Sequence, residues 1–136
     1  MKNKKLSGQT LAEFALVLPM LLLLVMGVFD LGRGIYFYSA ITNAAREGAR
    51  YAAVYHCDTN GIKNQATTKA GNLGPGFVVQ DPVGHYVGEN LEYIVVTVQY
   101  TFEAVTPLIG NFLGEDGSIT LESQARQMVE MKAACE

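Results

Sequence analysis

Residues 7–29 read Ser7-Gly8-Gln9-Thr10-Leu11-Ala12-Glu13-Phe14-Ala15-Leu16-Val17-Leu18-Pro19-Met20-Leu21-Leu22-Leu23-Leu24-Val25-Met26-Gly27-Val28-Phe29. Lys2, Lys4 and Lys5 stand just upstream, and Asp30 closes the run. The uninterrupted apolar part, 14–29, falls slightly short of the roughly 20 residues that carry an α-helix across a bilayer; counting from Leu11 reaches that length. The longer count takes in Glu13, an ionisable group where a membrane helix should have none. Pro19 removes one helical donor and invites a kink, which membrane helices tolerate when neighbours satisfy the freed carbonyl. The transmembrane candidate is therefore residues 11–29.

The helix does not have to stop there. Leu31, Ile35, Tyr38, Ile41, Ala45, Ala49 and Ala52 recur at steps of three and four, the signature of one helical face. Asn43, Glu47 and Arg50 mark the opposite face, with Glu47 and Arg50 spaced to pair at i,i+3. Gly32 and Gly34 each weaken the helix by roughly 1 kcal/mol and allow a bend. Unbroken over 9–55, the rod is about 70 Å long, half inside a bilayer and half beyond it. Tyr36, Phe37 and Tyr38 fall just past the span, where interfacial aromatics belong. Ala40, Ala44, Gly48 and Ala52 form a row of small residues that admits close approach by another backbone. Two readings stand for that row: packing against this chain's own sheet, and packing between subunits.

Beyond the rod, residues 57–61 carry turn chemistry, and 62–72 fit a short helix. Gly74-Pro75-Gly76 breaks the pattern, 77–80 fit a short strand, and 84–90 read as loop or turn. The clearest strand is 91–103, where Ile94, Val96, Val98, Tyr100 and Phe102 line one side. Residues 106–113 fit a hydrophobic loop or helical turn, and 114–117 a turn. From Ser118 to about Glu130 alternation returns, which predicts a strand antiparallel to 91–103; a helix over 124–134 competes with it. The fold class that follows is α+β: a long N-terminal helix, partly transmembrane and partly amphipathic, then a small antiparallel β-sheet domain over 56–136.

At 136 residues there is room for one small domain beside the helix. The formal charge of −3 is unevenly spread. The first eight residues hold three lysines and no acid, whereas the part after Arg50 holds four basic and ten acidic residues. With no basic patch to meet phosphates, nucleic acid is not an expected partner. Lysines before the apolar run and an acidic domain after it fit the positive-inside pattern: N-terminus in the cytoplasm, C-terminal domain translocated. Cys57 and Cys135 then lie in a disulfide-permissive space, where a single intramolecular bond and two unpaired thiols are the alternatives. His56, Cys57 and Asp58 are adjacent and His85 stands apart, so metal-ligand spacing is lacking and no metal is expected. No nucleophile elbow, phosphate loop or zinc-binding histidine pair occurs, and no enzyme activity or cofactor is expected.

The opening stretch resembles a type IV-like prepilin signal: a basic leader, Gly8 at the cut, Gln9 as the new N-terminus, Glu13 close behind it and then the apolar helix. Gly8 to Phe14, together with Ala44-Ala45-Arg46-Glu47-Gly48-Ala49-Arg50, is similar to the TadE-like family, small pilin-like proteins of tight-adherence (Tad, Flp-type) pilus systems. The resemblance covers most of residues 7–55. It implies that 1–8 is a leader removed after Gly8 by a prepilin peptidase. It also implies a minor pilin or pseudopilin of an adhesive type IV-like pilus, held in the bacterial cytoplasmic (inner) membrane by a single pass. Its partners are then that peptidase, other pilin-like subunits and the assembly machinery, with entry into an extracellular pilus as a further stage. Gln9 stands where the best-known pilins often carry an aromatic. The physics of the role is legible in the residues themselves. A carboxylate in a membrane costs several kcal/mol unless paired or protonated. An amine freed at Gln9 of a neighbouring subunit, largely protonated at neutral pH, relieves that cost and sets axial register. The competing reading is a single-pass membrane-anchored extracytoplasmic domain not processed as a pilin. Against an ordinary secretory signal, the apolar run is long and no Ala-x-Ala-like site follows it.

Overall fold

The computed structural model describes residues 8–106, 110 and 117–130. The expected leader lysines, the turn at 114–116 and Cys135 lie outside the described residues.

A single α-helix, α1 (Gly8–Ala52), runs for 45 residues without a break at Pro19, Gly32 or Gly34, a rod of about 68 Å. Its two halves have different surroundings. The most apolar part has mean hydropathy 2.5 and only 6% of it is buried, so it is not the core helix of a soluble fold. Its other half carries the domain: Ile41, Ala44, Ala45, Ala49 and Ala52 are all buried.

Helix α2 (Thr59–Ala70) returns along the outer half of α1. It starts earlier than the turn chemistry of 57–61 suggests, because those residues also make a helix cap. Asp58 is the N-cap: its carboxylate accepts the Gly61 N–H at 2.8 Å and the Tyr51 hydroxyl at 3.0 Å. Ile62 and Ala66 are the buried residues of α2.

The sheet is built on one long central strand. Strand β3 (Asn90–Glu103) pairs antiparallel along its length with β4 (Ser118–Met128), from Tyr93 opposite Met128 to Glu103 opposite Ser118. Its other edge is shared by β1 (Phe77–Val79) and β2 (Val83–Val87), both antiparallel to it. The gap between those two strands contains Pro82, which cannot donate to the ladder. The fold class is thus α+β with a small antiparallel sheet. Strand β2 corrects the expectation of a loop over 84–90. Its register shifts between His85 and Tyr86, and Gly88, with φ 65°, makes the tight turn into β3. No residue other than glycine has positive φ among those described, so the two-residue connection fits a type II′ hairpin. At 124–128 the competing helix gives way to strand, because Gln124 and Met128 lie in register with Thr97 and Tyr93.

The inner sheet face, Ile94, Val96, Val98 and Phe102, is buried and α1 packs on it. Phe37 stacks on Tyr100 with ring centres 4.3 Å apart. At the far end the Glu130 N–H donates to the Ala53 carbonyl at 3.0 Å. The expected helical row divides. Ile41, Ala45, Ala49 and Ala52 are buried, whereas Leu31, Ile35 and Tyr38 are more than half exposed. Below Phe37 the covered face of α1 passes through Asp30 instead. Of the small row, Ala44, Gly48 and Ala52 are buried within this chain and Ala40 only partly.

Gly48 is the closest approach. A Cβ there meets Val96 Cγ1 at 3.1 Å and Ala66 Cβ at 3.2 Å, so one position touches helix and sheet together. Gly48→Leu is expected to cost about 1–3 kcal/mol by overpacking, more than the roughly 1 kcal/mol that replacing a helical glycine returns. Thermal unfolding of the full chain in detergent checks this. Gly32→Ala, with nothing within 4 Å of the added atom, is the control and is expected to hold or raise the midpoint. Equal midpoints for the two variants contradict this packing.

Candidate functional site

The candidate site is the inner half of α1 and the point where the domain grips it. Gly8 is the first residue of α1, and Gln9 follows within the helix. Glu13 lies one turn after Gln9 on an exposed stretch. From Glu13 to Asp30 is 17 residues, about 25 Å of helix, close to the roughly 30 Å of a bilayer's hydrocarbon core. The two carboxylates therefore bracket the apolar segment. Between them Leu16, Met20 and Leu24 are among the large apolar side chains left more than half exposed.

The sequence uses Asp30 only as the end of the apolar run; the structure gives it a larger part. Asp30 is 4% exposed. Its Oδ1 accepts the Val105 N–H at 3.1 Å and its Oδ2 the Thr106 N–H at 2.7 Å. Arg33 Nη1 lies 3.2 Å from Oδ1. One side chain on the rod thus satisfies two successive backbone donors from the segment that follows β3. Arg33 also lies against the Phe102 ring, 5.4 Å from its centre, joining the same corner of the sheet. The available sequence signal is positional: Asp30, Phe37, Ile41, Ala44 and Gly48 share a helical face, one strip away from the apolar row that the eye follows first.

Asp30 lies just beyond residues 11–29, outside the membrane candidate. Thr106 is the main reason its carboxyl is held below the ordinary 3.8. The Thr106 hydroxyl contributes most, although its oxygen stops short of standard hydrogen-bond geometry. The Thr106 and Val105 N–H groups and the Arg33 charge act in the same direction, and burial opposes them.

The other expected site residues do not gather there. Cys57 lies past the end of α1 at the opposite end of the domain and is disulfide-bonded, which decides between the two alternatives for it; Cys135 lies outside the described residues. Ala44, Gly48 and Ala52 face this chain's own α2 and sheet. Glu47 and Arg50 pair on the exposed side at 3.1 Å.

The rod is bare at one end and clothed by a small sheet at the other. Comparison with known families agrees over the rod: residues 8–50 match the family described as TadE-like protein, a Tad pilus-associated, pilin-like family. The match spans nearly all of α1 and includes Gly8, Glu13, Asp30 and the 44–50 segment, so the similarity to that family lies in this helix. No curated protein matches the chain, and no solved structure does.

The Asp30 grip has a signed pH dependence. A carboxyl whose folded pKa is lowered contributes stability that is fully present above its unfolded pKa of about 3.9 and is lost as pH falls through the lower folded value. Asp30→Ala leaves the Thr106 N–H buried without its acceptor, a loss of about 1–3 kcal/mol. Hydrogen exchange at neutral pH is expected to speed roughly 5- to 150-fold at Val105 and Thr106 by that same range, with the β3–β4 amides unaffected. Unchanged protection at Val105 and Thr106 contradicts the grip.

Proposed function

We propose that this chain is a minor pilin or pseudopilin of a tight-adherence pilus system and that it acts through assembly, not catalysis. The single observation that carries the reading is the family match over 8–50, which falls on a helix whose apolar half is left bare by its own domain. In this reading the lysine leader keeps the N-terminus in the cytoplasm, residues 11–29 cross the inner membrane, and the domain from residue 56 onward lies outside. A prepilin peptidase cuts after Gly8. Loss of the leader removes Lys2, Lys4 and Lys5 and frees an amine on Gln9.

Glu13 then has a use. Its charge is costly within the membrane, about 2.5–3.5 kcal/mol for an acid at the helix centre on insertion scales and less near the helix end where Glu13 stands. Pairing with a sister subunit's Gln9 amine offsets that cost and favours one axial offset between rods. Before cleavage the amine is absent from that place, so processing licenses assembly. Its partners are other pilin-like subunits and the pilus machinery.

Mass spectrometry of the chain recovered from membranes is the test, and the expected mature N-terminus is Gln9 with a free amine. A chain retaining Met1, or one starting beyond Phe29, overturns the reading. A cyclised Gln9 retains the cleavage and removes the ion pair. For Glu13, membrane crosslinking of Glu13→Gln is expected to show at least tenfold less subunit association than the unaltered chain; equal crosslinking makes Glu13 only a mark of the membrane surface.

A further inference from the structure

The sequence holds one Asn-Gly pair, Asn60-Gly61, and the fold places it in the first turn of α2. Asparagine amides are thermally labile, and a following glycine makes them more so. Glycine has no side chain to shield its nitrogen, and it gives the backbone freedom to swing that nitrogen towards the amide carbon. Asn60 is exposed, so water reaches it. We propose that Asn60 is a latent deamidation site that the Asp58 cap holds inert, so that opening of the first turn of α2 leaves a permanent chemical mark on the chain. This goes beyond the pilin-like reading and does not depend on it.

The reaction starts when the Gly61 nitrogen, having lost its proton to solvent base, attacks Cγ of Asn60. The new N–Cγ bond closes a succinimide ring; the Cγ–Nδ2 bond breaks and Nδ2 leaves as ammonia. Water then opens the ring at one carbonyl or the other, giving aspartate or isoaspartate at position 60. Two features of the fold oppose the first step. The Gly61 N–H donates to Asp58 Oδ1 at 2.8 Å, so its proton is held against a carboxylate. The Ile62 N–H donates to the Asp58 carbonyl at 3.0 Å, which keeps the turn helical, and ring closure needs ψ of Asn60 to leave the helical value of about −42°. Tyr51 fixes the guard itself, its hydroxyl donating to Asp58 Oδ2 at 3.0 Å. The cap also explains why the labile pair is present. A Cβ on residue 61 would sit 2.1 Å from Asp58 Oδ2 and 2.8 Å from Tyr51 Cε1, so this geometry demands glycine. Once formed, isoaspartate adds a backbone carbon ahead of Gly61. That displaces the Gly61 N–H from Asp58, and with it Ile62 and Ala66, the buried residues of α2.

The full chain in detergent is held in mildly alkaline buffer beside a second sample in guanidinium chloride, and conversion of each asparagine is followed by peptide mapping with mass spectrometry. Asn64, exposed on the same helix but followed by Gln65, is the internal control. Asn60 is expected to convert more slowly in the folded chain than in denaturant by roughly tenfold or more, since the turn must open first. Asp58→Ala is expected to speed conversion in the folded chain roughly 2- to 30-fold, the factor by which losing such a cap favours the opened turn. Asp58→Asn keeps a capping oxygen and is expected to stay near the unaltered rate. Equal conversion of Asn60 in folded and denatured chain overturns the proposal, and does so even where Asp58→Ala fails to fold. An Asp58→Ala chain that keeps its β3–β4 amide protection and the unaltered Asn60 rate overturns Asp58 as the guard, as does an Asp58→Asn chain that converts as fast as Asp58→Ala.

Discussion

The packing of α1 against its own domain ends at Asp30, and most of the molecule's behaviour follows from where that packing ends. Outward of this residue the helix offers Ile41, the small residues 44–52 and Phe37 to a sheet and a second helix. Ordinary hydrophobic burial and close packing stabilise that half. Inward of it the described side chains are mostly exposed, yet they are the most apolar in the chain. A bare apolar cylinder of that length is unfavourable in water. Its length and composition are compatible with membrane anchoring.

Asp30 suits that boundary because it joins two kinds of structure. Backbone N–H groups at the end of a strand need acceptors when they are buried. A carboxylate needs donors when it is buried. The Val105 and Thr106 donors meet the Asp30 oxygens at the place where the sheet leaves the rod. The result ties β3, in the middle of the sheet, to the first turn beyond the membrane candidate.

Much of this was legible in the residues. The run 11–29 is visible because nothing charged interrupts it after Glu13, and β3 because Ile94, Val96, Val98, Tyr100 and Phe102 alternate without a gap. The family resemblance came from Gly8–Phe14 and 44–50, and the match over 8–50 covers both. What was missed has physical causes. Strand β2 is five residues long, contains Gly84 and shifts register after His85, so it carries no clean alternation. Asp58-Thr59-Asn60-Gly61 serves equally as a turn or a cap, and only the Asp58 bond to the Gly61 N–H makes it a cap. Leu31, Ile35 and Tyr38 continue the buried row in spacing but border the sheet's edge instead of its covered face, and stay more than half exposed. The grip of Asp30 depends on residues 75 and 76 positions away, which no local pattern encodes.

The central claim is that one continuous helix passes from lipid to protein interior at Asp30. Spin labels placed singly along α1 of the full chain in vesicles, at Leu16, Leu24, Ser39, Ile41 and Ala45, measure it through relaxation by oxygen and by a water-soluble nickel complex. The account predicts high oxygen and low nickel access at Leu16 and Leu24, nickel access at Ser39, and little access by either reagent at Ile41 and Ala45. Nickel access at Leu16 and Leu24 equal to that at Ser39 would contradict it.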